Sequence, residues 1–220
     1  MASENEALGR AFNEMGSVTL AAQLDTIVRL AGFHNLDENA QLSYSWSLGD
    51  LEHSVKPIAL AYPFPKGNSY KVIQGNNGSF SHNTDWSRYA IDFDLKASDT
   101  ISAAHDGFVV GVVQGYQHGG PEKKWKPYGN FITLYHPEAG IYTQYVHLQH
   151  NGSLVELGDW VKKGQPIGLS GMTGQTTVVH LHFNYLVPAD TPDGLKSIPF
   201  TFEDGTRSEE LTRGEVVLSE

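Results

Sequence analysis

The chain contains no cysteine among its 220 residues. This excludes disulfide staples, thiolate zinc sites and a cysteine nucleophile, and it leaves the redox compartment open. Basic residues are scarce beside acidic ones: 15 Lys and Arg stand against 25 Asp and Glu, a formal net charge of −10. Without a basic field to neutralise phosphates, nucleic-acid binding is not expected as the main role. No apolar run approaches the roughly 20 residues needed to span a bilayer. The N-terminus, MASENEALGR, is polar and acidic and lacks the pattern of a signal peptide.

Hydrophobic residues make up 40% of the chain, enough for a core, and glycine is abundant at 23. That balance favours a turn-rich β protein over a helical bundle. Residues 17–33, SVTLAAQLDTIVRLAGF, fit both a helical face and an alternating strand, and their β-branched residues tip the reading to strand. LSYSWSLG (42–49) reads as a strand. Pro57, Pro63, Pro65 and Gly67 then mark a connection. A boundary near 60 separates an N-terminal β-rich extension, residues 1–60, from a main domain, residues 61–220.

Beyond residue 70, short strands alternate with turns. The expected strands are YKVIQG (70–75), YAIDFDL (89–95), TISAA (100–104), GFVVGVVQGY (107–116), FITLYH (131–136), IYTQYVHL (141–148), PIGLSG (166–171) and VHLHFNYL (179–186). Asn76-Asn77-Gly78, Asn151-Gly152 and Gly158-Asp159 punctuate them. The fold class is therefore mainly β, a compact antiparallel sheet domain. One long irregular segment remains, QHGGPEKKWKPYG (117–129).

Ten histidines are many for this length. His34 and His53 fall in the extension, and surface placement accounts for His105, His118 and His150. His136 ends an apolar strand and reads as a satisfied core or edge residue. Others are harder to explain by packing. In VHLHFNYL, strand alternation puts His180 and His182 on one face and Leu181 and Phe183 on the other. Asp92 interrupts the apolar strand YAIDFDL, where an aspartate is disfavoured unless paired or bound to a cation. His147 lies in YVHL, on the same expected face as Tyr145, and His82 stands in the loop just ahead of Asp92. His82, Asp92, His147, His180 and His182 are nitrogen and oxygen donors suited to zinc. Five exceed what one ion needs, and the surplus histidines could serve as acid, base or oxyanion stabiliser.

VELGDWVKKGQPIGLSG (155–171) resembles the hammerhead turns of biotinyl and lipoyl carrier domains. The tip that follows, Ser170-Gly171-Met172-Thr173-Gly174, lacks the lysine such a carrier modifies.

From Tyr70 to Tyr185 the chain resembles the lysostaphin-type zinc metallopeptidases. The shared motifs are SHNTDWSRYAIDFDL, AAHDGFVVGVV, YGNFITLYH, YVHL, GDWVKKGQPIGLSGMTG and HLHF, in the family's order. Nine residues, 83–91, separate His82 from Asp92. This is longer than in the family's short form and similar to its longer-spaced Ser-His…Tyr-Ala-Ile-Asp-Phe branch. The resemblance implies a small antiparallel β domain with a groove over its sheet. It implies hydrolysis of peptide bonds in bacterial peptidoglycan, with peptidoglycan peptides as partners and a cell-envelope or secreted location. It implies zinc (Zn2+) held by His82, Asp92 and His182, with His147 and His180 as non-ligand catalytic histidines acting on a zinc-activated water. Asn130 and Tyr145 are candidate substrate-binding groups. The competing expectation is a non-catalytic regulator or wall-binding module on the same fold.

Overall fold

The Leu181–Pro188 strand lies in the middle of the main sheet, and its pairing brings the candidate site residues together. The computed structural model describes Leu51 and residues 55–220, and the expected strands at 17–33 and 42–49, with His34 and His53, lie outside the described residues. Leu181, Phe183 and Tyr185 point into the main core, while His182 and Asn184 point the other way; all five are buried. A strand covered on both faces needs apolar or fully partnered side chains on each, and this one has both.

The described strands form an architecture dominated by antiparallel pairing. The nine-stranded sheet runs in the order Trp160–Val161, Gly107–Val113, Phe131–His136, Ile141–Val146, Leu181–Pro188, Ile91–Phe93, Ser69–Gln74, Val216–Leu218, with Leu195–Ser197 also pairing with Leu181–Pro188. Every pairing in it is antiparallel. A three-stranded antiparallel sheet joins Thr100–Ser102, Pro166–Ser170 and Leu148–Ser153. One apolar cluster connects the two sheets: Ile101, Leu148 and Ile167 pack with Phe93, Ile132 and Phe183. Each such fully buried side chain contributes roughly 1.5–3 kcal/mol relative to exposure. Aromatic rings extend the cluster toward the chain's last residues, with Tyr62 stacked on Phe202 at 4.2 Å and Phe183 set edge-on to Phe200 at 5.7 Å.

Several expected strands differ at their ends. YAIDFDL shortens to Ile91–Phe93, because the Leu95 N–H turns back to the Phe93 carbonyl. IYTQYVHL divides into Ile141–Val146 and Leu148–Ser153, because His147 adopts φ +70°. The 117–129 segment holds a 3-10 helix, Lys123–Tyr128, and a short strand, Gly119–Gly120, that pairs in parallel with Gly174–Gln175. At the expected domain boundary, Ala59 and Leu60 pair with Thr201 and Phe202, and Leu60 is fully buried in the core of the described body.

Candidate metal centre and its histidines

Three neighbouring strands and one loop bring the candidate residues together. His182 pairs directly across from Asp92 on one side and from Val146, the residue before His147, on the other. Side chains of directly opposed residues in adjacent strands lie about 4.5–5.5 Å apart at Cβ, so this register alone places the His182 imidazole against the Asp92 carboxylate. His180 enters one residue ahead of the strand. His82 arrives from the loop at 78–90, whose own turns close it: His82 N–H donates to the Gly78 carbonyl and Arg88 N–H to that of Thr84.

Asp92 Oδ1 is the common point. His182 Nδ1 lies 2.9 Å from it, His82 Nε2 3.1 Å and His180 Nε2 3.7 Å. His82 Nε2 and His182 Nδ1 are themselves 3.1 Å apart. His82, Asp92 and His182 are all buried and form a group able to hold a metal ion. His147 stacks beside the group, its ring centroid 4.5 Å from that of His180 and 6.0 Å from that of His182.

Backbone carbonyls orient the rings. His82 Nδ1–H donates to Gly75 O at 2.8 Å, His147 Nδ1–H to Thr173 O at 2.6 Å, and His180 Nδ1–H to Val178 O at 3.0 Å, with the Thr176 hydroxyl 3.1 Å away. These partners assign the proton of each neutral ring to Nδ1 and leave a lone pair on Nε2. Burial opposes the charge on Asp92, yet His180, His182 and His82 more than offset it, and its pKa lies well below the usual carboxylate range. Burial also disfavours charge on His82, but the bond to Asp92 prevails and its pKa is raised. For His147 burial dominates, reinforced by His180 and His182, and its pKa falls to about 3. Burial likewise lowers that of His182.

The donor set fits a cation. The ring nitrogens of His82 and His182 crowd an ionised carboxylate, which can only accept, in a place closed to water. Donors held together in this way are stabilised by a shared positive charge, a proton on His82 or a metal ion in its place. Donor atoms of a tetrahedral zinc with bonds of 2.0–2.1 Å lie about 3.3 Å apart. The separations of 2.9–3.1 Å found here are close to that.

Residues 87–192 match the model of peptidase family M23. Lysostaphin of Staphylococcus simulans is 36% identical over 102 residues, 45% of this chain and 18% of that protein. Peptidoglycan DD-endopeptidase ShyC of Vibrio cholerae is 41% identical over 75 residues, 34% of this chain and 16% of that one. The solved structure of the antimicrobial peptidase lysostaphin from Staphylococcus simulans aligns at 28% identity with a TM-score of 0.43, covering 58% of this chain and 47% of that one. The chain thus spans less than a fifth of the length of these two curated relatives. His82 lies just ahead of the matched residues.

Two candidates are corrected. Asn130 and Tyr145 are fully buried and offer no surface to a substrate. Asn130 instead ties loops together: its Nδ2 donates to the carbonyls of Tyr116 and Gln149, and its Oδ1 accepts the Tyr116 N–H. The Tyr145 hydroxyl accepts the Ala104 N–H at 2.8 Å, and its ring packs on Phe183 in the core. Tyr145 and His147 therefore do not share a face, because the positive φ at His147 breaks the alternation. Sequence reasoning did not single out Gln74, Thr173 or Thr176, which hold site side chains; nothing in their local sequence distinguishes them from ordinary turn and strand residues.

Proposed function

We propose that this chain is a zinc-dependent endopeptidase that cleaves peptide bonds in bacterial peptidoglycan at the cell envelope or outside the cell. The observation that carries the reading is the convergence of His82 Nε2, Asp92 Oδ1 and His182 Nδ1 within 3.1 Å, with two further histidines against them, all but His82 within the residues that match peptidase family M23. Peptidoglycan as the substrate class is supported by the similar peptidoglycan DD-endopeptidases of Vibrio cholerae.

His82, Asp92 and His182 would hold the ion. When bound, zinc supplies Lewis acidity that polarises a scissile carbonyl and acidifies water. His180 has its Nδ1–H anchored and Nε2 turned toward the centre, so Nε2 is placed to take the proton of the attacking water and deliver it to the leaving amine. His147, neutral and anchored through Nδ1, also offers a lone pair at Nε2. It donates to an oxyanion only after gaining a proton, so its first role is as a second proton acceptor. The paired segments Gly119–Gly120 and Gly174–Gln175 stand next to His147 as one wall of the cleft. Phe80 and Val178, each two residues before a site histidine, are exposed apolar side chains.

Digestion of purified peptidoglycan, with mass analysis of the released products, tests this. New peptide termini are expected, together with a loss of at least about 100-fold in rate for His180→Ala, as for removal of a general base. Undiminished digestion by that variant would overturn the assignment of the base. A protein carrying stoichiometric zinc that releases nothing would overturn the activity.

A further inference from the structure

We propose that Gln74 is a positioning residue that fixes the Asp92 carboxylate so that Oδ1 alone faces the metal site; this rests on the zinc reading above. The two oxygens of Asp92 have different surroundings. Oδ1 meets the three histidines, whereas Oδ2 accepts a hydrogen bond from Gln74 Nε2 at 3.0 Å. The second hydrogen of that amide reaches Ser81 Oγ at 2.8 Å. Because a carboxylate only accepts, the amide nitrogen must face Asp92, and the orientation of Gln74 is thereby set.

The backbone is shaped to make this contact. Val72 pairs with Phe93, but Gln74, not Ile73, pairs with Asp92, so one extra residue bulges out of the strand. Val72 and Phe93 both face the main core. In a regular strand Gln74 would follow Val72 toward that core; the bulge turns it to the opposite face, beside Asp92. The loop that carries His82 then closes over it. A Cβ on Gly78 would lie 2.4 Å from Gln74 Cγ and 2.7 Å from Cδ, so only glycine allows the loop to pack this close. A single side chain therefore links the metal-facing carboxylate, the bulged strand and the loop that delivers His82.

A carboxylate free to rotate could turn Oδ2 inward or bind through both oxygens, and either change would disturb the donor triangle. Outer partners of this kind typically alter metal affinity by about 10–100-fold. The test is zinc affinity, measured by competition with a chromophoric chelator, for the wild-type chain, Asp92→Ala and Gln74→Met, which keeps side-chain volume and removes the amide. Folding is checked in parallel on the metal-free forms by thermal melting. Gln74→Met is expected to fold, to bind zinc about 10–100-fold more weakly, and to give an altered visible spectrum when loaded with cobalt(II). Wild-type affinity and an unchanged cobalt spectrum in a folded Gln74→Met would overturn the role. If that variant does not fold, Gln74→Asn, which withdraws the amide by one methylene, decides on the same two readouts. A wild-type chain that binds no zinc would overturn the metal reading itself, which the comparison with Asp92→Ala separates from failure of Gln74 alone.

Discussion

The histidines of this protein divide by what their nitrogens touch, and the division separates chemistry from architecture. His136 is as buried as the site histidines, yet both of its nitrogens are satisfied by protein, Nδ1–H by the Asp106 carbonyl at 2.7 Å and Nε2 by the Thr143 hydroxyl at 2.9 Å. Burial pushes its pKa down to about 4. Above pH 6.5 the ring is neutral in both the folded and the unfolded chain. Between pH 6.5 and 4 the unfolded chain takes up a proton that the folded one refuses, so stability falls as the pH falls. The drop is about 3 kcal/mol at full extent, the free energy that separates a pKa of about 4 from the ordinary histidine value. Urea unfolding across this range should therefore show a shallower acid slope for His136→Asn than for the wild-type chain. Equal slopes would mean that His136 does not titrate in this way. The sequence allowed a structural role for His136, since a histidine closing an apolar strand before a proline has an ordinary explanation. It also picked out Asp92, because a carboxylate within an apolar strand does not. Tyr145 and Asn130 misled: a phenol and an amide near His147 look polar in sequence, and only three-dimensional pairing reveals that backbone groups consume them.

At the scale of elements, the site depends on places where regular structure is interrupted. The hairpin strands Phe131–His136 and Ile141–Val146 are perfectly regular and carry no site side chain; FITLYH was legible to the residue because apolar periodicity and flanking turn residues both mark it. His147 follows a regular strand with positive φ, Gln74 follows a bulge, and Gly174 has φ +82°. None of these departures leaves a periodicity signal, so none was legible. The two- and three-residue strands Thr201–Phe202 and Val216–Leu218 were missed for the related reason that they are shorter than any period can reveal. Gly174 shows what such an interruption does. A Cβ there would lie 2.7 Å from Gly129 Cα and 2.9 Å from Gly129 N, backbone atoms that cannot swing aside. Gly174→Ala should lose roughly 1–3 kcal/mol of stability from strain at positive φ. It should also displace the neighbouring Thr173 carbonyl that holds His147, lowering turnover by up to about 100-fold. Gly129→Ala is the control: its Cβ would meet Val146 Cγ1 at 3.4 Å and nothing closer, and its φ is −78°. Chemical denaturation and peptidoglycan digestion of the two variants should differ sharply. Equal behaviour would show that the Gly174 turn does not position His147.

At the scale of the whole molecule, the donor triangle joins distant parts of the chain. His82 and Asp92 are 10 residues apart, but His182 is 90 residues beyond Asp92 and 100 beyond His82. An unfolded chain has no such triangle, so an ion that binds it binds the folded state almost exclusively. Binding to the folded state alone stabilises by RT ln(1 + [L]/Kd), about 4 kcal/mol when free zinc is 1,000 times Kd. For a domain of this size each kcal/mol moves the melting midpoint by about 2–4 °C, so the shift should be on the order of 10 °C. Without the ion, Asp92 keeps its charge through the surrounding imidazoles and the Gln74 amide, and its burial is less well offset. The metal-free protein should therefore fold, with the core formed by Phe93, Ile132 and Phe183 intact, but melt earlier. Calorimetry in the presence of a strong chelator, followed by re-addition of zinc, checks this. A midpoint that neither falls on chelation nor recovers with zinc would show that the three donors hold no ion in the folded protein. The same scan on Asp92→Ala should be insensitive to both treatments, because that substitution removes the oxygen on which the imidazoles converge.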